Sequence, residues 1–340
     1  MKPSVIVAPH FRTMAEIFRP TTLGRLESVA DVVWAVDDPM PQVEFEEALR
    51  DAVAVVFGTW HYGDALRRRG SALRAVLEVA GAHDHRDLGY EDCLAAGIEV
   101  GSVAPAFGAA VAEYGLALAL TVSRGIVMND REFRNGEELW LHAGNVGYNT
   151  LFHRTVGFVG CGGLSRHLQR LLEPFEVNLL GFDPFISDPV LSARGIEPVD
   201  LETMFRSSEV IFILAAPSAS GRGLIDRRLL ELLQPRQTVV LLSRAGLVDF
   251  DSLTSLVVAG RFRLAIDVYP EEPLPADHLL RGADIAVLSS HRAGAVPDAL
   301  LQIGDMVVQD LEAMIAGSEE RCLQYLTEEA LPGLLQPPAN

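Results

Sequence analysis

The sequence predicts an α/β fold made of two doubly wound parallel-sheet domains. Short runs of β-branched and aromatic residues alternate with helix-like patterns in two series, and a glycine-containing, loop-like stretch after Asn135 separates them. Strands that alternate with helices are typical of parallel sheets. The 340 residues exceed what one hydrophobic core usually serves, and 49% hydrophobic residues are enough to fill two cores.

The first series contains four short apolar runs that we interpret as strands. They are rich in β-branched residues, which favour pleated, buried positions. The predicted strands lie at residues 5–8, 32–36, 53–57 and 75–79. A long pattern with apolar residues three and four positions apart follows at residues 109–134. We expect one helix there, which links the two domains.

The second series is more regular than the first. Its six predicted strands lie at residues 156–159, 177–182, 210–214, 238–242, 264–268 and 285–288. Helical patterns separate them, and six parallel strands with intervening helices suggest a doubly wound nucleotide-binding fold. The second domain is therefore the predicted cofactor domain.

Composition excludes several classes of partner. Acidic residues outnumber basic ones by 46 to 28, giving a formal net charge of -18, which repels nucleic-acid phosphates and anionic lipid surfaces. Cys93, Cys161 and Cys322 are far apart and lack the paired spacing of zinc or redox motifs, which fits a reducing cytoplasm. The N-terminus does not resemble a signal peptide, and the longest apolar run, residues 115–122, is too short to span a bilayer.

A glycine-rich turn at residues 160–165 follows the first strand of the second series and opens a helix. Gly160 permits a tight turn, and Gly162 lets backbone N–H groups approach a pyrophosphate at the helix N-terminus. Ser165 stands where a third glycine is usual, which we interpret as a tolerated variant. The candidate cofactor contacts in this turn are Gly160, Gly162, Gly163 and Leu164.

An acidic residue ends the next strand. Asp183 lies 23 positions beyond Gly160, where a carboxylate accepts hydrogen bonds from the adenosine ribose of a dinucleotide. The same carboxylate repels a 2′-phosphate, so the sequence predicts NAD as the cofactor and favours it over NADP. A glycine-rich turn alone is weak evidence, but strand, turn, helix and acid occur here in the required order.

Three charged or titratable residues follow the last three predicted strands. They are Arg244, Glu272 and His291. Since the carboxyl ends of parallel strands form the ligand-binding edge of an open sheet, we expect the three side chains to meet in one crevice. Taken singly, each is an ordinary loop residue. Their occurrence behind successive strands favours a chemical site.

These residue types suit hydride transfer to a 2-oxo acid. The Arg244 guanidinium can hold a substrate carboxylate in a bidentate fork and polarise the adjacent carbonyl group. The His291 imidazole can give a proton to the carbonyl oxygen and take it back in the reverse direction. The Glu272 carboxylate can orient the imidazole and stabilise its charged form.

The sequence resembles the D-isomer-specific 2-hydroxy acid dehydrogenase family over nearly its whole length. Three segments carry the resemblance, and each contains one of the residues just named. They are 242–249 (Leu-Ser-Arg-Ala-Gly-Leu-Val-Asp), 266–275 (Ile-Asp-Val-Tyr-Pro-Glu-Glu-Pro-Leu-Pro) and 288–291 (Leu-Ser-Ser-His). The family usually has proline before the histidine. The resemblance implies that Arg244, Glu272 and His291 are catalytic.

The resemblance also implies an architecture and a set of cofactor contacts. A flavodoxin-like substrate domain, residues 1–103 with 295–340, receives an inserted Rossmann NAD-binding domain, residues 104–294. Two subunits pair mainly through their cofactor domains, so the implied assembly is a homodimer. The further cofactor contacts that it implies are Ala216, Pro217, Ser243, Asp267 and Gly294.

The substrate loop departs from the family pattern. The family usually has a Gly-x-Gly segment there, whereas this chain keeps Gly81 but has His83 in place of the second glycine. It also has Ser102 where asparagine is common and Ala215 where histidine is frequent. Our hypothesis is that His83 selects a 2-oxo acid with an additional polar or anionic group. His83 and His85 lack neighbouring acids at ligand spacing, so we predict no metal. The candidate substrate contacts are Gly81, Ala82, His83 and Arg244.

The leading functional prediction is reversible reduction of a small 2-oxo acid by NADH in the cytoplasm. An alternative from another class is an NAD(H)-sensing binding protein, similar to relatives that act as corepressors with the same fold. A third is oxidation of a small anion such as phosphite or formate. The departures around Gly81, at Ser102 and at Ala215 leave the identity of the acid open, together with the pathway.

Overall fold

The chain divides into two compact units. The computed structural model describes residues 2–81, 83, 86–215, 223–329 and 331. Unit 1 comprises Met1–Phe107 with Ala295–Asn340, and unit 2 comprises Gly108–Gly294. The predicted domain boundaries, 103/104 and 294/295, compare with 107/108 and 294/295 in the structure. The first division falls inside one long helix, so no loop marks it.

Thirteen strands are described and are numbered here in chain order. They are β1 (Ser4–Ala8), β2 (Asp31–Trp34), β3 (Ala52–Phe57), β4 (Ala75–Glu78), β5 (Glu99–Ser102), β6 (Thr155–Val159), β7 (Asn178–Phe182), β8 (Glu197–Pro198), β9 (Val210–Ile213), β10 (Thr238–Leu241), β11 (Arg263–Ile266), β12 (Ala286–Leu288) and β13 (Gln324–Tyr325).

Twelve α-helices are described in the same ranges. They are α1 (Met14–Ile17), α2 (Pro20–Val29), α3 (Gln42–Ala48), α4 (Tyr90–Ala95), α5 (Ala104–Ser123), α6 (Ile126–Asn135), α7 (Gly163–Leu172), α8 (Asp188–Ala193), α9 (Leu201–Ser207), α10 (Arg227–Leu230), α11 (Phe250–Val258) and α12 (Pro297–Ala316). Short 3-10 turns occupy Ala65–Arg68, Arg86–Leu88, Ala143–Asn145, Glu173–Phe175, Ala245–Leu247 and Leu279–Gly282.

The sheet of unit 1 has the order β13-β5-β4-β3-β1-β2. Its parallel strands run 2-1-3-4-5, which is the flavodoxin-like order. The sequence predicts β1 to β4 but misses β5 and β13. Strand β5 reads Glu-Val-Gly-Ser, which has too few apolar residues for a clear pattern. Strand β13 has two residues and pairs antiparallel with β5, so the sheet is mixed rather than wholly parallel.

Both faces of this sheet are buried, as in other α/β proteins. Val5 and Val7 pack into one core cluster together with residues of α12. Ile6, between them, packs into the opposite cluster with Phe45 of α3. Successive strand residues point to opposite faces. The near-continuous apolar runs in β1 and β3 are therefore needed to fill two layers.

The sheet of unit 2 is wholly parallel, in the order β12-β11-β10-β9-β6-β7-β8. Counted from β6, the strands run 3-2-1-4-5-6-7, which is the order 3-2-1-4-5-6 of a Rossmann fold with β12 added at one edge. The direction of progression reverses between β6 and β9, and ligands bind at such a point. The two-residue strand β8 escapes prediction because of its length. The predicted fold class, two doubly wound α/β domains, is confirmed.

The predicted helix at residues 109–134 is two helices. Helix α5 ends at Ser123 and α6 begins at Ile126, with Gly125 between them at a φ of 63°. A Cβ atom on Gly125 would lie 2.2 Å from Cζ of Tyr148. The left-handed conformation ends α5, and the tyrosine ring requires glycine there. The spacing of apolar residues alone does not reveal this break.

Helix α5 is long and apolar enough, by length and composition alone, to cross a membrane. The apolar run at residues 115–122, on which the sequence prediction rests, is too short to span a bilayer, whereas the whole helix is long enough. Ala112, Leu118 and Val122 of this helix are buried in the core of unit 2, with Phe158 of β6 and Phe212 of β9. A helix that lies in a protein core has the same apolar composition.

Candidate active site

The glycine-rich turn lies at the reversal point of the unit 2 sheet. Gly160 directly follows β6 and has a φ of 94°. A Cβ atom there would lie 2.4 Å from the backbone nitrogen of Ala215, which follows β9. Both the backbone conformation and the close approach require glycine. The turn therefore follows the end of β6 and lies directly against the end of β9, and these two strands flank the binding crevice.

Beyond the turn, the N-terminus of α7 is open. Gly162 is the N-cap residue of the helix and has no side chain that could accept a hydrogen bond from the first N–H groups. A Cβ atom on Gly162 or Gly163 would meet no described heavy atom within 4 Å. Leu164 packs partly against the core cluster behind the sheet. Ser165 is buried and its Oγ donates to the carbonyl of Gly162 at 2.8 Å, which explains why serine is tolerated there.

Asp183 lies beside this turn, as the sequence predicts for a ribose-binding acid. Its Oδ2 accepts a hydrogen bond from the backbone N–H of Cys161 at 2.8 Å, and its Oδ1 accepts one from Phe185 at 2.9 Å. Each carboxylate oxygen has further lone pairs for ribose hydroxyls. Cys161 is buried, and burial raises the pKa of its thiol to about 12. It is therefore a small core residue and not a nucleophile.

These features fit a dinucleotide. The start of α7 suits a pyrophosphate. Its first N–H groups receive no cap from a side chain of Gly162, and the surface over Gly162 and Gly163 is clear of described atoms. Ser243, after β10, adds a buried hydroxyl without a described hydrogen-bond partner. Asp183 supplies the acid that ribose hydroxyls require. When bound at these residues, NADH would supply a hydride.

The histidine and the glutamate predicted from the sequence lie in contact. The Nδ1 atom of His291 is 2.7 Å from Oε2 of Glu272. The other carboxylate oxygen, Oε1, accepts a hydrogen bond from the N–H of Tyr269 at 3.0 Å. Burial acts to raise the pKa of Glu272, but the bonds from His291 and Tyr269 and the charge of Arg244 outweigh it and lower that pKa. The glutamate is therefore an anion that orients the imidazole.

Arg244 shares this edge of the sheet. It is exposed, and its Nη1 donates to the carbonyl of Ser243 at 2.8 Å. No described carboxylate forms an ion pair with it, although its positive charge helps to lower the pKa of Glu272. A guanidinium with unused donors can bind a substrate carboxylate in a bidentate fork.

The turn that carries His291 is anchored by Asp267. Asp267 is only 1% exposed and follows β11. Its carboxylate accepts hydrogen bonds from the N–H groups of Arg292, at 2.9 Å, and Ala293, at 3.1 Å. Its backbone carbonyl accepts from the N–H of His291, whose φ is 52°. A non-glycine residue in this left-handed region is held by its surroundings, and Asp267 provides them.

Ser289 and Tyr114 extend this anchor to α5. The Ser289 hydroxyl donates to the same Asp267 carboxylate and lies 2.8 Å from the Tyr114 hydroxyl. A chain of hydrogen bonds thus connects the helix to the His291 turn. No local sequence pattern predicts this chain of hydrogen bonds, because Tyr114 is 175 positions from Ser289. The role predicted for Asp267, a contact to the nicotinamide, stays a prediction beside this observed anchoring role.

The predicted substrate contacts other than Arg244 belong to unit 1. Gly81 has a φ of 96°, and a Cβ atom there would lie 2.7 Å from Cε2 of Phe107. His83 packs edge-on against Tyr90 with ring centroids 6.0 Å apart, and burial lowers its pKa. Ala82, Ala216 and Pro217 lie outside the described residues. Gly294 ends unit 2, directly after Ala293.

Among the described residues, no three histidine, cysteine or acidic side chains cluster as metal ligands do. The site in unit 2 therefore consists of the glycine-rich turn with Asp183 and, along the same sheet edge, Arg244 and the Glu272–His291 pair.

A known family matches the part of the chain that holds this site. Residues 116–293 match the family model for the NAD-binding domain of D-isomer specific 2-hydroxyacid dehydrogenases, which is more than half of the chain. The matched range contains the glycine-rich turn and the three predicted catalytic residues. The predicted cofactor, NAD, is confirmed.

Several relatives are similar over much of the chain. D-3-phosphoglycerate dehydrogenase from Archaeoglobus fulgidus is 30% identical over 61% of this chain and 39% of its own length. Glyoxylate reductase from Pyrococcus furiosus is 25% identical over 93% and 94%. The crystal structure of a phosphoglycerate oxidoreductase from Rhizobium etli is 33% identical, with a TM-score of 0.84 over 96% of this chain and 99% of that one.

The chain spans about half the length, or less, of the curated phosphoglycerate dehydrogenases that it matches. Its match to the glyoxylate reductase and to the Rhizobium etli structure is nearly end to end. The resemblance inferred from the three motif segments is confirmed, and the chain belongs to the D-isomer-specific 2-hydroxyacid dehydrogenase family.

Proposed function

We propose that the chain is an NAD-dependent oxidoreductase that reversibly interconverts a small 2-oxo acid and the corresponding D-2-hydroxy acid. The observation that carries this proposal is the 2.7 Å contact between His291 and Glu272, at the sheet edge that also bears the Gly160 turn. Relatives named phosphoglycerate dehydrogenase and glyoxylate reductase support the same reaction class.

Each residue of the pair has a distinct task in the proposed reaction. Since Nδ1 of His291 is bonded to Glu272, Nε2 is the atom that gives a proton to the substrate carbonyl oxygen. In the oxidative direction, Nε2 accepts the proton of the substrate hydroxyl. The Glu272 carboxylate stabilises the charged imidazolium. Arg244 binds the substrate carboxylate and polarises the adjacent carbonyl.

A spectrophotometric panel tests this function. Glyoxylate, hydroxypyruvate and phenylpyruvate are mixed with the protein and either NADH or NADPH, and the loss of reduced cofactor is followed. We expect at least one acid to consume NADH. The glycerate formed from hydroxypyruvate and the phenyllactate formed from phenylpyruvate should be the D isomers on chiral chromatography, whereas the glycolate formed from glyoxylate is achiral. No turnover by protein that binds NADH, or an L product, would contradict the proposal.

The two alternative functions gain no observation of their own. The relatives reported above are named as dehydrogenases, reductases or an oxidoreductase, and not as corepressors or phosphite-oxidising enzymes. The cytoplasmic location remains part of the proposal. It is supported by the three free cysteines, Cys93, Cys161 and Cys322.

The proposal includes pairing of two copies through unit 2. Five large apolar side chains between α6 and Val146 are more than half exposed, which is unusual for a surface in contact with water alone. They are Phe133, Leu139, Trp140, Leu141 and Val146. The same segment borders a cavity of about 670 Å³. A second copy of this surface would cover them.

Sedimentation equilibrium tests the pairing. We expect the wild type to be a dimer and the double variant Trp140→Lys with Leu141→Asp to be a monomer. Val43→Asp is the matched control, because Val43 is 70% exposed on α3 of unit 1. A monomeric wild type, or a double variant that still dimerises as tightly, would contradict this part of the proposal.

A further inference from the structure

Arg12 lies at the carboxyl edge of the unit 1 sheet, beside the predicted substrate loop. It belongs to the segment that follows β1, and its Nε donates to the carbonyl of Val79, directly after β4, at 3.3 Å. Its Cζ lies 5.8 Å from the centre of the Phe107 ring. The same ring lies against Gly81. Arg12 and Gly81 therefore border one aromatic side chain.

A glycine directly after the strand between them makes this reach possible. Strand β3 separates β1 from β4 in the sheet. At its carboxyl end, a Cβ atom on Gly58 would lie 2.1 Å from the carbonyl oxygen of His10 and 2.2 Å from that of Pro9. The segment after β1 thus lies directly on Gly58. This close approach carries Arg12 across β3 to the end of β4.

The guanidinium of Arg12 has no counter-ion among the described residues. Arg12 is half-buried, with its Cζ 5.0 Å from the centre of the Phe11 ring, and burial lowers its pKa from the usual value. An arginine still remains charged at neutral pH. The nearby Glu16 caps its own helix, where it accepts from the N–H of Thr13 at 2.7 Å. Among the described residues, no carboxylate forms an ion pair with Arg12, and its two terminal nitrogens make no hydrogen bond.

A half-buried, unpaired cation is costly unless an anion meets it. Its two free terminal nitrogens match the two oxygens of a carboxylate or a phosphate. His83 does not offer this charge, since burial lowers its pKa and leaves the imidazole neutral at pH 7. The hypothesis that His83 selects an acid with an additional polar or anionic group stays a prediction, and for an anionic group Arg12 is the better candidate.

We propose that Arg12 binds an anionic group of the 2-oxo acid, a carboxylate or a phosphate, at the carboxyl edge of the unit 1 sheet, and so determines the substrate class. This inference rests on the proposed function. In open parallel sheets, ligands lie at the carboxyl edge, where Arg12 and Gly81 both stand. The preferred substrate is thus a 2-oxo acid with two anionic groups.

Steady-state kinetics with three acids test the proposal. 2-Oxovalerate carries one anionic group, 2-oxoglutarate carries a second carboxylate, and 3-phosphohydroxypyruvate carries a phosphate. The variants are Arg12→Met, which removes the charge, and Arg12→Lys, which keeps the charge but not the fork. Arg25→Met is the matched control, since Arg25 pairs with Glu312 between α2 and α12 of the same unit.

We expect the wild type to favour one of the two dianionic acids over 2-oxovalerate by at least about tenfold in kcat/KM. Arg12→Met should reduce that preference by about tenfold or more, mainly through KM, with Arg12→Lys intermediate and Arg25→Met unchanged. Which dianionic acid is favoured separates a carboxylate from a phosphate. A wild type that prefers 2-oxovalerate, or an Arg12→Met variant that lowers all three values equally, would overturn the proposal.

Calorimetric titration of the protein with 2-oxoglutarate, 3-phosphohydroxypyruvate and 2-oxovalerate in the presence of NAD⁺ gives a readout without turnover. Tighter binding of a dianionic acid, lost in Arg12→Met and retained in part by Arg12→Lys, supports the inference even if no acid is reduced and the proposed function fails. Equal binding of all three acids would overturn the inference and leave the function standing. If Arg12→Met does not fold, by circular dichroism, Arg12→Lys decides the outcome.

Discussion

The Nδ1 atom of His291 and the Oε2 atom of Glu272 lie 2.7 Å apart. The two side chains are 48% and 37% exposed, so solvent screens their attraction and the pair contributes little to overall stability. The contact instead fixes which ring nitrogen is free. The backbone N–H of Tyr269 donates to the other oxygen of the Glu272 carboxylate, and the backbone carbonyl of Asp267 accepts from the N–H of His291.

Replacing Glu272 by glutamine should lower kcat more than it changes KM. The amide keeps the shape but cannot stabilise an imidazolium by charge, so we expect kcat to fall by at least about tenfold. Glu271→Gln is the matched control, because Glu271 is the exposed neighbour. Equal kcat values for wild type and Glu272→Gln would show that the carboxylate has no part in proton transfer.

The stability contributed by Glu272 should depend on pH with a definite sign. Despite opposition from burial, its hydrogen bonds and the positive charges nearby lower its pKa below 4.5. Such a group stabilises the fold above its unfolded pKa and loses this effect as the pH falls through the lowered value. The unfolding free energies of wild type and Glu272→Gln, from urea titrations, should differ above about pH 5 and converge toward about pH 3. A difference that grows on acidification would contradict this assignment.

Ser289→Ala should destabilise the turn that carries His291. It removes one of the donors to the buried Asp267 carboxylate, which we expect to cost about 1–3 kcal/mol of stability and to lower kcat. Tyr114→Phe should act in the same direction but more weakly, since it leaves Ser289 in place. Urea unfolding and kcat are measured together. Unchanged values for both variants would mean that the hydrogen-bond chain does not position His291.

Gly160→Ala should abolish NADH binding. The added Cβ atom would meet the backbone of Ala215 at 2.4 Å, and φ there is 94°. Gly260→Ala is the control for strain alone, because Gly260 has a φ of 74° but no described heavy atom within 4 Å of the added carbon. The control should lose about 1 kcal/mol of stability and keep NADH binding. Fluorescence titration that finds wild-type affinity in Gly160→Ala would contradict the role of this turn.

Asp183→Ser should reduce the preference for NADH over NADPH. The carboxylate favours ribose hydroxyls and repels a 2′-phosphate, so its loss should weaken NADH binding and strengthen NADPH binding relative to it, by about tenfold or more in the ratio. Asp188→Ser is the control, since Asp188 lies in the first turn of α8. A wild type that binds NADPH as tightly as NADH would refute the predicted selectivity.

Much of the fold could be predicted because most strands are buried on both faces. The runs that form β1, β3, β6 and β10 are almost continuously apolar, and this pattern needs no tertiary information. Strands β8 and β13 have two residues each, which leaves no pattern to detect. The break at Gly125 depends on Tyr148, a contact between residues that no local rule connects.

The candidate site divides in the same way. Gly160, Asp183, Arg244, Glu272 and His291 could be placed from their order behind strands, because the carboxyl ends of parallel strands share one edge. The supports of the site depend on distant contacts, and the sequence did not predict them. They are Tyr114, Ser289 and the carboxylate of Asp267 as an anchor, together with Arg12 in unit 1.

In the proposed reaction, His291 transfers the substrate proton. NADH consumption by wild type and His291→Ala is compared with the best 2-oxo acid of the panel, and the Kd for NADH is measured alongside. We expect a loss in kcat of about 10²- to 10⁴-fold with an unchanged Kd. Turnover by His291→Ala within about twofold of the wild type would contradict it.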